Sequence, residues 1–164
     1  MFSLDCFRKQ DNEESDEEKK RKKRIDEEIK EFNEWKHTIN CDGTYSAKDS
    51  TLNVIMEGPK DSPYIGGKFK ISVTFPKKYP TEKPDFKFLT PICHINIKDT
   101  KICLDSINYY DENSSIIDIL TQIFMMLTSP NDTSPLNGDY YKIYSNDLDE
   151  YFSKARQMTN EYAK

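Results

Sequence analysis

Apolar residues at helical spacing indicate an amphipathic helix near the start of the chain and two more towards its end. Apolar side chains recur every three or four positions at Ile25, Ile29, Phe32 and Trp35, with charged residues between them. This spacing predicts a helix with one buried face. The apolar stretch 116–127 predicts a helix in the core. A last helix is predicted to bury the face formed by Leu148, Tyr151, Phe152, Ala155, Met158 and Tyr162.

The start of the apolar helix carries a capping signal. Ser115 is followed three residues later by Asp118, which resembles a capping box. Ser129-Pro130-Asn131-Asp132 is expected to end that helix, and Asp139 to Tyr144 is predicted to form a short helix before the last one.

A different pattern occupies the middle of the chain. Short runs rich in β-branched and aromatic residues are separated by clusters of glycine, proline, aspartate and lysine. The predicted strands are Thr44–Ser46, Leu52–Met56, Phe69–Phe75 and Phe86–Leu89. Short connections between consecutive strands predict a four-stranded antiparallel meander.

Composition favours one solvated domain with a charged extension. The chain has 164 residues, 35% of them hydrophobic, and a net charge of −5, which gives no reason to expect a nucleic acid as its main partner. Residues 1–18 are interpreted as a mobile charged arm and residues 19–164 as the folded domain. No apolar run long enough for a membrane span or a signal peptide is visible, so a cytoplasmic or nuclear location is expected, with reduced thiols.

Several motifs along the chain are similar to those of the ubiquitin-conjugating enzymes, from about residue 24 to the C-terminus. They are Met56 to Phe69, Phe75-Pro76 with Tyr79-Pro80, Ile102-Cys103-Leu104-Asp105, Leu127 to Asn131, and Pro135-Leu136. The resemblance implies an α+β fold, in which an N-terminal helix precedes a four-stranded antiparallel meander. It also implies a central helix packed on the sheet and two C-terminal helices.

The same resemblance implies that Cys103 carries ubiquitin or a ubiquitin-like modifier as a thioester. The segment His94-Ile95-Asn96 matches the family's His-Pro-Asn motif, with isoleucine in place of proline. Asn96 is expected either to donate a hydrogen bond to the oxyanion that forms when lysine attacks, or to fix the loop by bonding to backbone. His94 is interpreted as a structural residue, and Leu104 as part of the Cys-Leu-Asp motif.

Other residues near this motif receive smaller roles. Ser134 occupies the family position that assists the attacking lysine, and Asp132 and Asp105 are candidate aids nearby. Cys93 is interpreted as an inert buried thiol, while Cys6 and Cys41 are placed in arm and loop without a role. A metal site built from Cys93, His94 and Cys103 matches no familiar zinc spacing, so no metal is expected.

The resemblance implies a defined set of partners. These are the modifier, an activating enzyme that uses ATP upstream, a ligase and substrate proteins; no cofactor, nucleic acid or membrane is expected. Thr81 after Tyr79-Pro80, and Tyr109 to Glu112, depart from common ligase-binding patterns, which leaves the ligase class open. The alternatives are a conjugating enzyme for the cullin modifier or another ubiquitin-like protein, a non-catalytic ubiquitin-binding scaffold, and a nucleic-acid binder through the basic run 19–24. The presence of Cys103 argues against the scaffold. The negative net charge of the chain argues against the nucleic-acid binder.

Overall fold

The computed structural model describes residues 14–164, apart from the side chain of Ser106, and it shows an α+β fold. The helices are α1 (Asp16–Trp35), α2 (Asp105–Asn108), α3 (Ile116–Thr128), α4 (Gly138–Asn146) and α5 (Leu148–Tyr162). The strands are β1 (Cys41–Ser46), β2 (Thr51–Glu57), β3 (Lys68–Thr74), β4 (Asp85–Phe88), β5 (Ile97–Lys98) and β6 (Lys101–Ile102). None of the helices in residues 14–164 has the length and apolar composition needed to cross a membrane.

The first four strands form the predicted antiparallel meander, in the order β1-β2-β3-β4. Met56 of β2 pairs with Cys41 on one side and Phe69 on the other, and all three are buried. Side chains alternate between core and solvent along β2, as the period of a strand requires. The separate hairpin of β5 and β6 was not predicted, because strands of two residues are too short to show an alternation.

Helix α1 buries Ile25 and Phe32 as predicted, but its face also contains a buried carboxylate. Glu28 is 3% exposed, and its Oε1 accepts hydrogen bonds from Arg24 Nε at 3.0 Å and Tyr79 Oη at 2.9 Å. The prediction for Trp35 was wrong, since this residue ends the helix and is 54% exposed. The core face of α1 therefore includes a charged residue whose partners are Arg24, one turn earlier in the same helix, and Tyr79, from outside it.

The predicted capping box at α3 was wrong in its partners. Ser115 is the N-cap residue, but its hydroxyl donates to Glu31 Oε2 at 2.9 Å instead of bonding within its own helix. The free N–H of Ile116 donates to Glu28 Oε2 at 2.9 Å. Two glutamates of α1 thus accept hydrogen bonds at the start of α3, one from a backbone N–H and one from the N-cap hydroxyl, and join the two helices.

The predicted face of α5 was right in part, because two of its residues, Tyr151 and Ala155, are buried while three others are largely exposed. Tyr151, Ala155 and Thr159, spaced four residues apart, are buried. Leu148 is 45% exposed, Phe152 43% and Tyr162 48%, because they flank that stripe instead of forming it.

The charged N-terminal segment is partly helical. Helix α1 begins at Asp16, so the last three residues of the predicted arm belong to its first turn, and residues 1–13 lie outside the described part of the chain. Arg21 donates to the carbonyl of Pro76 at 2.7 Å and to that of Phe75 at 2.9 Å. One arginine of the basic run therefore attaches α1 to the end of β3.

Candidate active site

Cys103 follows β6 immediately and is partly exposed. Its backbone N–H donates to the carbonyl of Asn96 at 2.9 Å, which extends the pairing of the β5–β6 hairpin by one residue. Leu104 comes next and is the N-cap of α2, with its carbonyl accepting from the N–H groups of Ile107 and Asn108, each at 3.0 Å. The thiol is therefore carried at a junction between a hairpin and a short helix, with its backbone fixed on both sides.

The other described thiols are in the interior. Cys93 has no exposed surface, and burial raises its pKa to about 12. Cys41 is 8% exposed, and burial likewise raises its pKa to about 12. Its predicted placement in a loop was wrong, because Cys41 is the first residue of β1; Cys6 lies outside the described residues. Since a nucleophile must be both reachable and ionisable, Cys103 is the candidate among Cys41, Cys93 and Cys103.

His94 is fully buried and both of its ring nitrogens contact backbone groups. Nε2 lies 3.0 Å from the carbonyl oxygen of Met126 in α3, and Nδ1 accepts from the N–H of Asn96 at 3.0 Å. Burial lowers the pKa of His94 to about 4, so the ring is neutral at physiological pH. This geometry is that of a residue which fixes the backbone between α3 and the active-site segment.

Asn96 is also fully buried, and its amide is bonded to the loop that follows α3. Nδ2 donates to the carbonyl oxygens of Asn131 at 2.8 Å and Ser134 at 3.3 Å, while Oδ1 accepts from the N–H of Asn131 at 2.9 Å. Both amide hydrogens are thus used. Of the two roles considered for Asn96, this geometry corresponds to fixing the loop.

Sequence reasoning missed the residues that complete this attachment. The Asn131 side chain accepts from Thr133 Oγ1 at 2.6 Å and Thr133 N at 3.0 Å, and the carbonyl of Ile95 accepts from the N–H groups of Leu136 at 2.9 Å and Asn137 at 2.8 Å. Asn131 is followed two residues later by a threonine, a spacing typical of a side-chain-stabilised turn, which was the available signal.

The remaining candidates lie at the solvent edge of the site. Asp105 is exposed at the start of α2, and Asp132 and Ser134 are exposed in the loop held by Asn96. Their charges and hydroxyl face water, where electrostatic effects are weak. Within residues 14–164 no group of three or more histidine, cysteine, aspartate or glutamate side chains could hold a metal ion. His94 also has no ring nitrogen left for a ligand, since both contact backbone.

The two segments that depart from common ligase-binding patterns contact one another. Tyr110 Oη donates to the carbonyl of Pro80 at 3.1 Å, next to Thr81. Tyr109 is 81% exposed beside them. The structure therefore brings both departures to one surface, adjacent to the buried contact between Tyr79 and Glu28.

This architecture, with a partly exposed cysteine after a small hairpin and a neighbouring loop fixed by a buried asparagine, agrees with the comparisons to known proteins. The family model described as ubiquitin-conjugating enzyme matches residues 8–159. A relative from Dictyostelium discoideum, ubiquitin conjugating enzyme E2 B, is 34% identical over 111 residues, which are 66% of this chain and 75% of the relative.

Solved structures give the same result. The E2 domain of a Toxoplasma gondii ubiquitin-conjugating enzyme superposes with a TM-score of 0.78 at 26% identity, covering 87% of this chain and 99% of the other. A provisionally assigned ubiquitin-conjugating enzyme of Plasmodium yoelii gives a TM-score of 0.80 at 27% identity, covering 88% and 96%. The chain belongs to the ubiquitin-conjugating enzyme family.

Proposed function

We propose that Cys103 accepts ubiquitin, or a ubiquitin-like modifier, from an activating enzyme and transfers it to lysines of substrate proteins, usually with a ligase. The observation that carries this proposal is the partial exposure of Cys103, whose backbone N–H bonds to Asn96, the residue that holds the loop 131–134. The Cys103 thiolate attacks the activating enzyme's thioester, and the modifier moves from one sulfur to the other. The ATP is used by the activating enzyme, so this chain needs no cofactor of its own. A reducing compartment, cytoplasm or nucleus, keeps the thiol available.

In the second step a neutral lysine amine attacks the carbonyl of the Cys103 thioester, and negative charge develops on its oxygen. Asn96 supports this step by keeping residues 131–134 in place, which shapes the space that lysine enters. Asp132 lies in that loop and Asp105 lies two residues after Cys103, where their carboxylates weakly attract a protonated lysine, and Ser134 lies in the same loop. The lysine loses its proton to solvent before it attacks, and the Cys103 sulfur leaves as a thiolate. Such an arrangement favours slow discharge without a ligase.

The proposal is tested by charging the protein in vitro. The wild-type protein is incubated with ATP, one activating enzyme and its modifier at a time, with ubiquitin and the cullin modifier both included, and analysed on gels with and without reductant. We expect a thiol-sensitive adduct with at least one modifier, and discharge when free lysine is added. The modifier that charges decides between ubiquitin and the cullin modifier.

Two controls accompany this assay. Omission of ATP should remove the adduct, and so should Cys103→Ala. If no modifier forms a thiol-sensitive adduct while the related enzymes used as standards are charged, the transferase proposal is wrong and the non-catalytic scaffold is favoured.

A further inference from the structure

One residue, Asn137, binds the outer edge of strand β5 in the hairpin that carries Cys103. The N–H of Asn137 donates to the carbonyl of Ile95 at 2.8 Å, and its side-chain Nδ2 donates to the carbonyl of Ile97 at 3.2 Å. In an antiparallel pair, successive residues turn their backbone groups alternately towards the partner strand and away from it. The carbonyl of Asn96 faces β6, where it accepts from the N–H of Cys103. The carbonyls on both sides of it therefore face away from β6, and Asn137 supplies their donors.

The same side chain also caps helix α4. Asn137 is the N-cap residue, and its Oδ1 accepts a hydrogen bond from the N–H of Tyr140 at 3.3 Å. An amide side chain has both an acceptor oxygen and a donor nitrogen, so it can bind a helix terminus and a neighbouring strand at once. Serine and aspartate cap helices about as well as asparagine does, but aspartate has no donor and the serine hydroxyl is shorter. The cap alone therefore does not require an asparagine here.

The carbonyl of Ile97 belongs to the strand segment that pairs with the backbone next to the thiol. Ile97 is paired with Ile102, which immediately precedes Cys103. A shift of β5 at Ile97 therefore moves the backbone that carries the sulfur. Asn96, the residue before Ile97, attaches the loop 131–134 to the same segment. The position of the hairpin relative to this loop decides how an attacking lysine meets the thioester, and small displacements of reacting groups slow such reactions strongly.

We propose that Asn137 is a positioning residue for the transfer of the modifier to lysine. Its Nδ2 bond to the carbonyl of Ile97 sets the position of the Cys103 thioester relative to the loop 131–134. This inference rests on the proposed function, since it concerns discharge of the thioester. The capping bond to Tyr140 serves the stability of α4 and not the reaction. The two bonds made by one side chain therefore have consequences that substitution can separate.

The experiment compares variants that lose one bond or both. Asn137→Ser and Asn137→Asp keep an acceptor for the helix terminus but lose the donor to Ile97, whereas Asn137→Ala loses both. Serine also controls for the charge that aspartate adds. The matched control is Asp147→Ala, because Asp147 is the N-cap of α5, where its Oδ1 accepts from the N–H of Glu150 at 2.9 Å. This variant loses a helix cap without touching the hairpin.

Each protein is charged, ATP is removed, and discharge is followed over a range of free-lysine concentrations, so that kcat and KM are separated. Urea titration gives the midpoint of unfolding. We expect similar charging throughout and a fall in kcat for discharge of at least about fivefold in all three Asn137 variants. The KM for lysine should stay within about twofold in Asn137→Ser, since the path of lysine is unchanged. Asp147→Ala should discharge normally.

The order of stabilities distinguishes positioning from a merely structural role. The urea midpoint should fall further in Asn137→Ala than in Asn137→Ser, although the two variants lose the same discharge rate. A discharge rate that follows the urea midpoint through the whole series, Asp147→Ala included, overturns the proposal. Normal discharge in Asn137→Ser and Asn137→Asp overturns it as well, even where Asn137→Ala fails to fold. Failure of the proposed function is seen earlier, as absence of any thiol-sensitive adduct on the wild type.

Discussion

The two sides of the candidate site differ in how firmly they are held. The Asn96 side, residues 94–97 and 131–137, is joined by hydrogen bonds from His94, Asn96, Leu136 and Asn137 to the backbone around them. The Cys103 side, residues 101–105, carries exposed or partly exposed side chains apart from Ile102. A thioester to a whole protein needs open space around the sulfur. The attacking lysine, in contrast, is oriented best when the residues that line its path are held in one position.

This difference separates the expected effects of substitution. Changes on the Asn96 side should affect stability and the discharge step together, because the same hydrogen bonds serve both. Changes on the Cys103 side should affect the reaction and leave the fold intact.

Acid should destabilise the Asn96 side through His94. Burial lowers the pKa of His94 from 6.5 to about 4, so between these values the unfolded chain binds a proton that the folded protein excludes. The free energy of unfolding should therefore fall by up to about 3 kcal/mol from this residue as the pH drops from 6.5 to 4. Urea unfolding of wild type and His94→Asn at several pH values measures the effect.

Near neutral pH the wild type should be the more stable protein, because His94→Asn loses contacts to the backbone. That advantage should shrink towards pH 4, where burying a neutral histidine becomes costly. A difference in stability that stays constant from pH 7 to pH 4 would show that His94 is not held neutral.

Asn96→Ala should lower the free energy of unfolding by about 1–3 kcal/mol, because it removes the hydrogen bonds of a fully buried side chain to partly buried backbone groups of Asn131 and Ser134. Discharge of the thioester to free lysine should slow by at least about tenfold, while charging by the activating enzyme changes little. Denaturant titration and single-turnover discharge measure the two effects.

Asn131→Ala distinguishes the two roles of Asn96. It keeps both backbone bonds to Asn96 but removes the acceptor for Thr133, so a loop-fixing role predicts a smaller slowing of discharge in the same direction. Normal discharge in Asn131→Ala together with slow discharge in Asn96→Ala would point to direct oxyanion donation. Equal loss of charging and discharge in Asn96→Ala would instead make its role purely structural.

On the Cys103 side, Asp105→Asn should reduce discharge by no more than about threefold, because an exposed carboxylate acts through water. Stability should be unchanged within about 0.5 kcal/mol. Asp132→Asn, on the opposite side, is the matched exchange of another exposed aspartate. A tenfold loss of the discharge rate in either variant would mean that, in the protein loaded with the modifier, the carboxylate acts at closer range than its exposure implies.

The smallest effect is expected from Ile95→Pro, which restores the motif common in the family. The backbone bonds described at this position use the Ile95 carbonyl, and proline retains its carbonyl. Charging and discharge should therefore stay within about twofold of wild type, with a small loss of stability from the smaller buried side chain. A large gain in discharge would show that isoleucine has reduced the activity of this enzyme.

The sequence predicted the sheet better than the contacts around the site. Alternation along β2 and β3 and the proline-rich turns were sufficient for the meander, because they are local signals. Glu28 could not be placed inside from sequence, since a glutamate on a charged helix is usually exposed and its partners, Tyr79 and Ile116, are distant in the chain. The bonds from Asn96 to Asn131 and Ser134 likewise join segments separated by a helix. The role of Cys103 stays a prediction from its motif, and the structure shows that its side chain is partly exposed.

The most direct test of the account is to locate the carried modifier. Wild type, Cys93→Ser and Cys103→Ser are incubated with ATP, activating enzyme and modifier, and the products are analysed by intact mass spectrometry before and after reductant. The account predicts one reductant-sensitive modifier on wild type and on Cys93→Ser, and only a reductant-resistant oxygen ester on Cys103→Ser. A reductant-sensitive modifier on Cys103→Ser would contradict it.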